Sequence, residues 1–235
     1  QHCLIGRGAQ ANKGPAIGML YVMQCLRELS VPMKHELSLF VGCDEERGME
    51  DLAWYAAHHP CPAMSMIADS GFPVCYGEKG ILEGQMAACR EWSDAVVSCS
   101  GGSAGNMIPD RACAVFRQDK NLEEALRKHL EDRGKDKPAV SIKRTNEGLE
   151  VTAEGTAKHS AFPEGSCNAI HELAAFLEEI QELGETDRTL FETLAFLSEE
   201  YYGANTGISY EDEVSGKTTC AATVLTMDGR RPVLH

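Results

Sequence analysis

The chain has 235 residues and 43% hydrophobic content, enough for one large domain or two modest ones with a real core, which excludes intrinsic disorder. Asp and Glu (36) outnumber Lys and Arg (22), and the resulting net charge of −14 repels phosphate backbones and anionic headgroups, which argues against nucleic-acid and membrane-surface partners. The apolar stretch from Ala16 to Leu26 falls well short of the ~20 residues of a membrane span, and no charged-then-apolar leader opens the chain, so it reads as soluble and cytoplasmic.

Ten cysteines are scattered from Cys3 to Cys220 without a CxxC pair. Several, such as Cys25 and Cys113, sit inside apolar segments, the pattern of reduced core thiols rather than of a disulfide framework.

In chain order, Pro15 followed by Ile17, Leu20, Leu26 and Leu29 predicts a helix over 13–30. A short apolar run at 36–42 predicts a buried strand, and Asp44-Glu45-Glu46 follows it at once. Residues 49–59 read as a second helix closed by Pro60 and Pro62, and 64–68 as a second buried strand ending on Asp69. Helix, strand, helix, strand predicts an α/β fold with a parallel sheet, where ligands bind beyond the carboxyl ends of the strands. Both acidic sites fall there.

Near residue 80 the texture changes, so 1–80 is expected to be one partial domain and 81–235 a second. The second part reads as strands at 81–89, 95–100 and 112–116, a helix at 121–133, and strands at 140–143 and 149–153. Helices at 167–183 and 186–200, a strand at 217–227 and a turn at 228–232 complete it. Too little chain precedes the Gly-rich turn at 6–8 to build a sheet, and three residues follow Pro232; both ends are expected to lie mid-domain.

Asp44-Glu45-Glu46 and Asp69 at neighbouring strand ends fit a metal site, since zinc accepts carboxylates at ~2.0–2.2 Å. A carboxylate beside such a ligand can take the proton of metal-bound water. The same residues fit a solvated acidic loop and an unrelated helix cap equally well. Gly6-Arg7-Gly8, opening a helix, lacks both the GxxxxGK[ST] and the GxGxxG spacing of nucleotide cradles. His159 lies in a turn that starts the next helix, and Asn106-Met107-Ile108-Pro109-Asp110 alone is merely a turn.

Taken in order, GRGxxxxKGP at 6–15, DEE at 44–46, DSGFPVCYGEKG at 69–80, NMIPD at 106–110 and AKHSAFPEGSCNAI at 157–170 resemble one family. It is that of the dinuclear zinc peptidases that includes aminoacylase, carnosinase and glutamate carboxypeptidase, nearest the PepV-like or Xaa-His dipeptidases. The resemblance covers essentially the whole chain but only the middle of a family member, whose first and last metal-binding histidines lie outside it. It implies a parallel-sheet catalytic domain over 1–80 and an α+β lid of ferredoxin-like, two-layer form over 81–235. It implies two zinc ions, with manganese or cobalt as substitutes, a small peptide as substrate, and homodimerisation through the lid in some relatives. Glu45 would correspond to the general base, and Glu46 and Asp69 to zinc ligands on opposite metals. His159 would correspond to the oxyanion-stabilising histidine, Asn106 to a substrate contact, and Gly77-Glu78-Lys79-Gly80 to the crossing between domains.

One departure weighs against the full site. Where the family carries a metal-bridging aspartate, this chain has Ala11, followed by Asn12. A methyl group binds no cation, and two dications about 3.5–4 Å apart then lack the anion that screens their repulsion. The ordered motifs, by resemblance, imply hydrolysis of a dipeptide amide by a metal-bridging hydroxide. A catalytically incomplete homologue that binds peptides or associates through its lid is the alternative, and an N-acyl amino acid deacylase a further one. Residue 11 discriminates between the first two.

Overall fold

In a computed structural model, residues 6, 8–45, 48–71, 73–133 and 140–235 are described, without the side chains of residues 10 and 11. The chain divides into two compact units, Gln1–Glu78 and Lys79–His235.

The first unit opens with a π-helical turn, Ala9–Lys13, that runs into α1, Gly14–Glu28. Pro15 sits in the first turn of α1, where its missing N–H costs nothing. The second helix, α2, spans Glu50–His58 and carries Glu50 and Asp51 in its first turn, the end that favours negative charge. Phe40 packs on Tyr55 of α2, with ring centroids 4.9 Å apart.

The two parallel strands expected at 36–42 and 64–68 are not present. Both runs are irregular and exposed: Val41 is 69% and Ile67 84% accessible. A parallel ladder needs flanking strands and helices on both faces, and no strand pairs with either run among the described residues.

The second unit is a two-layer α+β body. Its strands are β1 (Met86–Ala87), β2 (Val96–Gly101), β3 (Arg111–Phe116), β4 (Val140–Arg144), β5 (Leu149–Glu154), β6 (Glu211–Asp212), β7 (Gly216–Lys217), β8 (Leu225–Asp228) and β9 (Arg231–Leu234). Its helices are α3 (Lys120–Asp132), α4 (Ala169–Leu177) and α5 (Glu185–Ser198). Seven strands form one sheet in the order β1-β9-β8-β2-β3-β5-β4, and β6 pairs with β7 alone. Every pairing between these strands is antiparallel, which corrects the parallel expectation for the chain's sheet.

The core lies between this sheet and its helices. Ala112, Ala114 and Phe116 of β3 alternate inward with Leu149, Val151 and Ala153 of β5, and meet Ile170, Leu173 and Leu177 of α4. Val96 and Cys99 on β2 both face this core although three positions apart, because a register shift between Val96 and Ser98 reverses the alternation. Burial pushes the Cys99 thiol up to about 12. Asp187 of α5, itself buried, accepts hydrogen bonds from the Ser93 N–H (2.8 Å) and hydroxyl (2.5 Å), which ties the helix layer to the chain entering β2.

Other expectations shift for physical reasons. Only Met86–Ala87 of 81–89 pairs, against β9, while Ile81 and Leu82 are almost fully exposed. The helix predicted to Leu183 ends at Leu177, after which successive turns keep Ile180 and Leu183 in the core. The strand predicted over 217–227 is split, because its middle bonds to scattered partners: the Cys220 N–H to Tyr201 O (2.8 Å) and the Thr223 N–H to His235 O (2.9 Å). The turn at 228–232 is a tight hairpin in which Asp228 pairs with Arg231, with Gly229 at φ +61°, and Pro232 belongs to β9.

No helix among the described residues is long and apolar enough to cross a membrane.

Two outcomes check this core. Phe191 is fully buried against Trp92 at 4.5 Å between centroids, so F191A is expected to cost about 4 kcal/mol in urea unfolding, whereas F196A, half exposed on the same helix, costs under about 0.5 kcal/mol. Iodoacetamide at pH 8 is expected to label exposed Cys89 and leave Cys99 unmodified, read by peptide mass mapping of the native chain.

Candidate functional site

In the first unit the acidic segment is shaped by α2. Asp44 accepts the Glu50 N–H at 3.1 Å, and the Met49 N–H bonds Asp44 O at 2.9 Å, folding the loop onto the start of the helix. Asp51 reaches back to accept the Cys43 N–H at 2.7 Å, and this bond holds its carboxyl below the usual carboxylate range. Gly42 allows that approach, since a Cβ there would stand 2.8 Å from the Asp51 carboxylate. Glu45 lies exposed in the loop so formed, and Glu46 lies outside the described residues.

Asp69 is placed by Asn12. The Asn12 amide nitrogen donates at 2.7 Å to the Asp69 carboxylate and at 2.7 Å to Ala68 O, across a separation of 57 residues. Nothing local in the sequence signals this contact. Among the described residues, no group of three or more His, Cys, Asp and Glu is arranged to hold a metal.

In the second unit the two turns singled out by sequence are joined to one another. The Ile108 N–H donates to Lys158 O (2.8 Å) and the Ser160 N–H to Asn106 O (2.8 Å), with Met107 and His159 facing each other in an antiparallel bridge. Two further bonds, from the Gly155 N–H to Asp110 O (2.8 Å) and from the Ala169 N–H to Pro109 O (2.9 Å), fasten both ends of 155–169 to 109–110. Gly155 is required at the crossing, because a Cβ there would meet Cys167 O at 2.2 Å.

The His159 ring has a defined tautomer. Its Nδ1 accepts the Ala161 N–H at 3.1 Å, so the neutral imidazole carries its proton on Nε2, and the residue is exposed. Such a ring offers one directed N–H donor. Beside it, the Lys158 ammonium donates to Glu164 O, and the Tyr202 hydroxyl donates to the Glu164 carboxylate at 2.8 Å. The Glu164 N–H and that phenol hold the Glu164 carboxyl below its usual range.

Residues that sequence reasoning passed over support these turns. Asn168 is buried, caps α4 through the Ile170 N–H (2.9 Å), and donates to Ala222 O (2.8 Å). The asparagine immediately before an apolar helical run was a readable cap signal. Tyr202 and Glu164 carried no comparable signal, since their pairing is tertiary.

The comparisons agree with this architecture. Residues 1–222 match a family model described as Peptidase family M20/M25/M40, and the chain belongs to that family. It is 26% identical over 97% of its length to "Putative dipeptidase SH1171" of Staphylococcus haemolyticus, covering 50% of that protein. It is 28% identical over 92% of its length to "Putative dipeptidase YtjP" of Bacillus subtilis, covering 48% of it, and 25% identical over 97% to a "Putative dipeptidase" of Staphylococcus epidermidis, covering 50%. The chain thus spans about half the length of the curated relatives it matches.

The residues at hand do not fit the carboxylate-bridged zinc pair that the resemblance implies. An alanine side chain at position 11 offers no ligand atom, and Asp69 Oδ1 accepts the Asn12 amide N–H.

The joined turns are tested by G155A. The substitution is expected to cost about 2–3 kcal/mol in urea unfolding and to speed amide hydrogen exchange at Ile108 and Ser160, while a Gly184→Ala control, with open space around it, leaves both unchanged.

Proposed function

We propose that the intact protein recognises dipeptides and hydrolyses their amide bond, with turnover depressed by Ala11 and Asn12. The observation that carries the reading is the pairing of the Asn106 and His159 turns with a fixed Nε2–H on His159. A donor held in this way suits the oxyanion that develops when an amide carbonyl is attacked.

In this reading Asn106 contacts the substrate and His159 donates to the developing oxyanion. Glu45 takes the proton of the attacking water and passes it to the leaving amine. The first unit carries Glu45 and plays the catalytic part in this reading; the second carries Asn106 and His159. The names carried by relatives in Staphylococcus and Bacillus support a dipeptide over a larger peptide. An N-acyl amino acid presents the same amide to the same residues and is the competing substrate.

The test is turnover of a panel of dipeptides and N-acetyl amino acids by the full-length protein, with zinc or manganese chloride added. A11D/N12D is expected to cleave dipeptides at least about 100-fold faster than the natural sequence, and E45Q in that background to remove the gain. Equal rates for the natural sequence and A11D/N12D would overturn the depressed-turnover part. Faster cleavage of N-acetyl amino acids than of dipeptides would replace the substrate assignment.

A further inference from the structure

The turn that carries His159 also carries Phe162. The Phe162 N–H donates to His159 O at 2.9 Å, closing a four-residue turn, and the two rings stand 6.2 Å apart between centroids. The next residue, Pro163, is buried, and its carbonyl accepts both the N–H (2.9 Å) and the hydroxyl (2.6 Å) of Ser166. A proline fixes its own φ and confines the residue before it to extended backbone, so Phe162 has little backbone freedom. Its side chain is nevertheless 73% exposed.

A single exposed phenylalanine is ordinary. Position sets this one apart. Its charged neighbours in the turn have other partners: the Lys158 ammonium donates to Glu164 O, and the Glu164 carboxylate accepts the Tyr202 hydroxyl. An apolar ring is left beside the imidazole. When His159 donates to a scissile carbonyl at about 2.9 Å, the side chain of the residue that owns that carbonyl branches from a Cα only about 1.5 Å from the carbonyl carbon. A ring abreast of the imidazole is within reach of that side chain, because aromatic pairs meet with centroids about 4.5–7 Å apart.

We infer that Phe162 is a specificity residue, an apolar wall for the side chain that precedes the scissile bond, and that the preferred substrates are dipeptides with a large apolar, above all aromatic, first residue. The inference rests on the dipeptide reading proposed above. A wall that touches the side chain and not the reacting atoms binds ground and transition states alike, so its loss shows in KM rather than in kcat.

The test compares phenylalanyl-glycine with seryl-glycine on the full-length protein and its F162A and F162L variants, with manganese chloride present. The natural sequence is expected to favour phenylalanyl-glycine in kcat/KM. F162A is expected to shrink that preference about 10-fold through KM, and F162L to restore most of it. F162A is also expected to melt within about 1 °C of the natural chain. Equal losses on both dipeptides, or a melting temperature several degrees lower, would mean that the ring packs against the protein itself and would overturn the inference while leaving the dipeptide reading in place. Calorimetric titration of E45Q and E45Q/F162A with the same two dipeptides reads binding apart from turnover. A preference for phenylalanyl-glycine that F162A removes, in a protein that cleaves neither dipeptide, would uphold the wall and defeat the hydrolytic reading. Isotherms without that preference in E45Q would overturn the wall whatever the rates.

Discussion

The backbone bonds that fasten 106–110 to 155–169 set the geometry of everything proposed for the second unit. They set Met107 opposite His159 and Asn106 against Ser160, and they exist because Gly155 lets the chain pass against Cys167 O without a side chain. The same segment ends at Asn168, whose buried amide caps α4 and binds Ala222 O, so the turn is anchored at one end to the helix layer and at the other to β5. A loop histidine without that support would sample many orientations. Here the ring accepts the Ala161 N–H on Nδ1.

The first unit solves a different problem with fewer contacts. Its carboxylates sit in a chain of strongly negative charge, and three of them accept from specific donors: Asp44 from the Glu50 N–H, Asp51 from the Cys43 N–H and Asp69 from the Asn12 amide. At Asp51 a backbone dipole, the Cys43 N–H, holds the carboxyl below its usual range without adding a counter-charge. Membership of the peptidase family is combined in this chain with Ala11, where the resemblance places a bridging carboxylate.

Much of the fold was legible because its signals are local. The Pro15 start of α1, the spacing of Ile170, Leu173 and Leu177 on α4, and the alternation of Ala112, Ala114 and Phe116 on β3 each lie within one element. The runs at 36–42 and 64–68 have the composition of buried strands, but a strand exists only with a neighbour, and none pairs with them among the described residues. The split of 217–227 failed to show for a related reason: Cys220, Ala222 and Thr223 bond to residues far away in sequence. The ordered motifs singled out His159 and Asn106, yet the pairing of their two turns and the Asn12 contact with Asp69 are tertiary facts. A hydrogen bond across 57 residues leaves no mark on local pattern.

The central claim is that the alanine at position 11 withholds the ligand that a carboxylate-bridged metal pair requires. Its most direct test is the metal content of the full-length protein as isolated, measured by elemental mass spectrometry after dialysis without chelator. The account predicts well below one equivalent of zinc, manganese and cobalt combined per chain, unchanged in D69N. Two equivalents retained through dialysis, and lost in D69N, would contradict it.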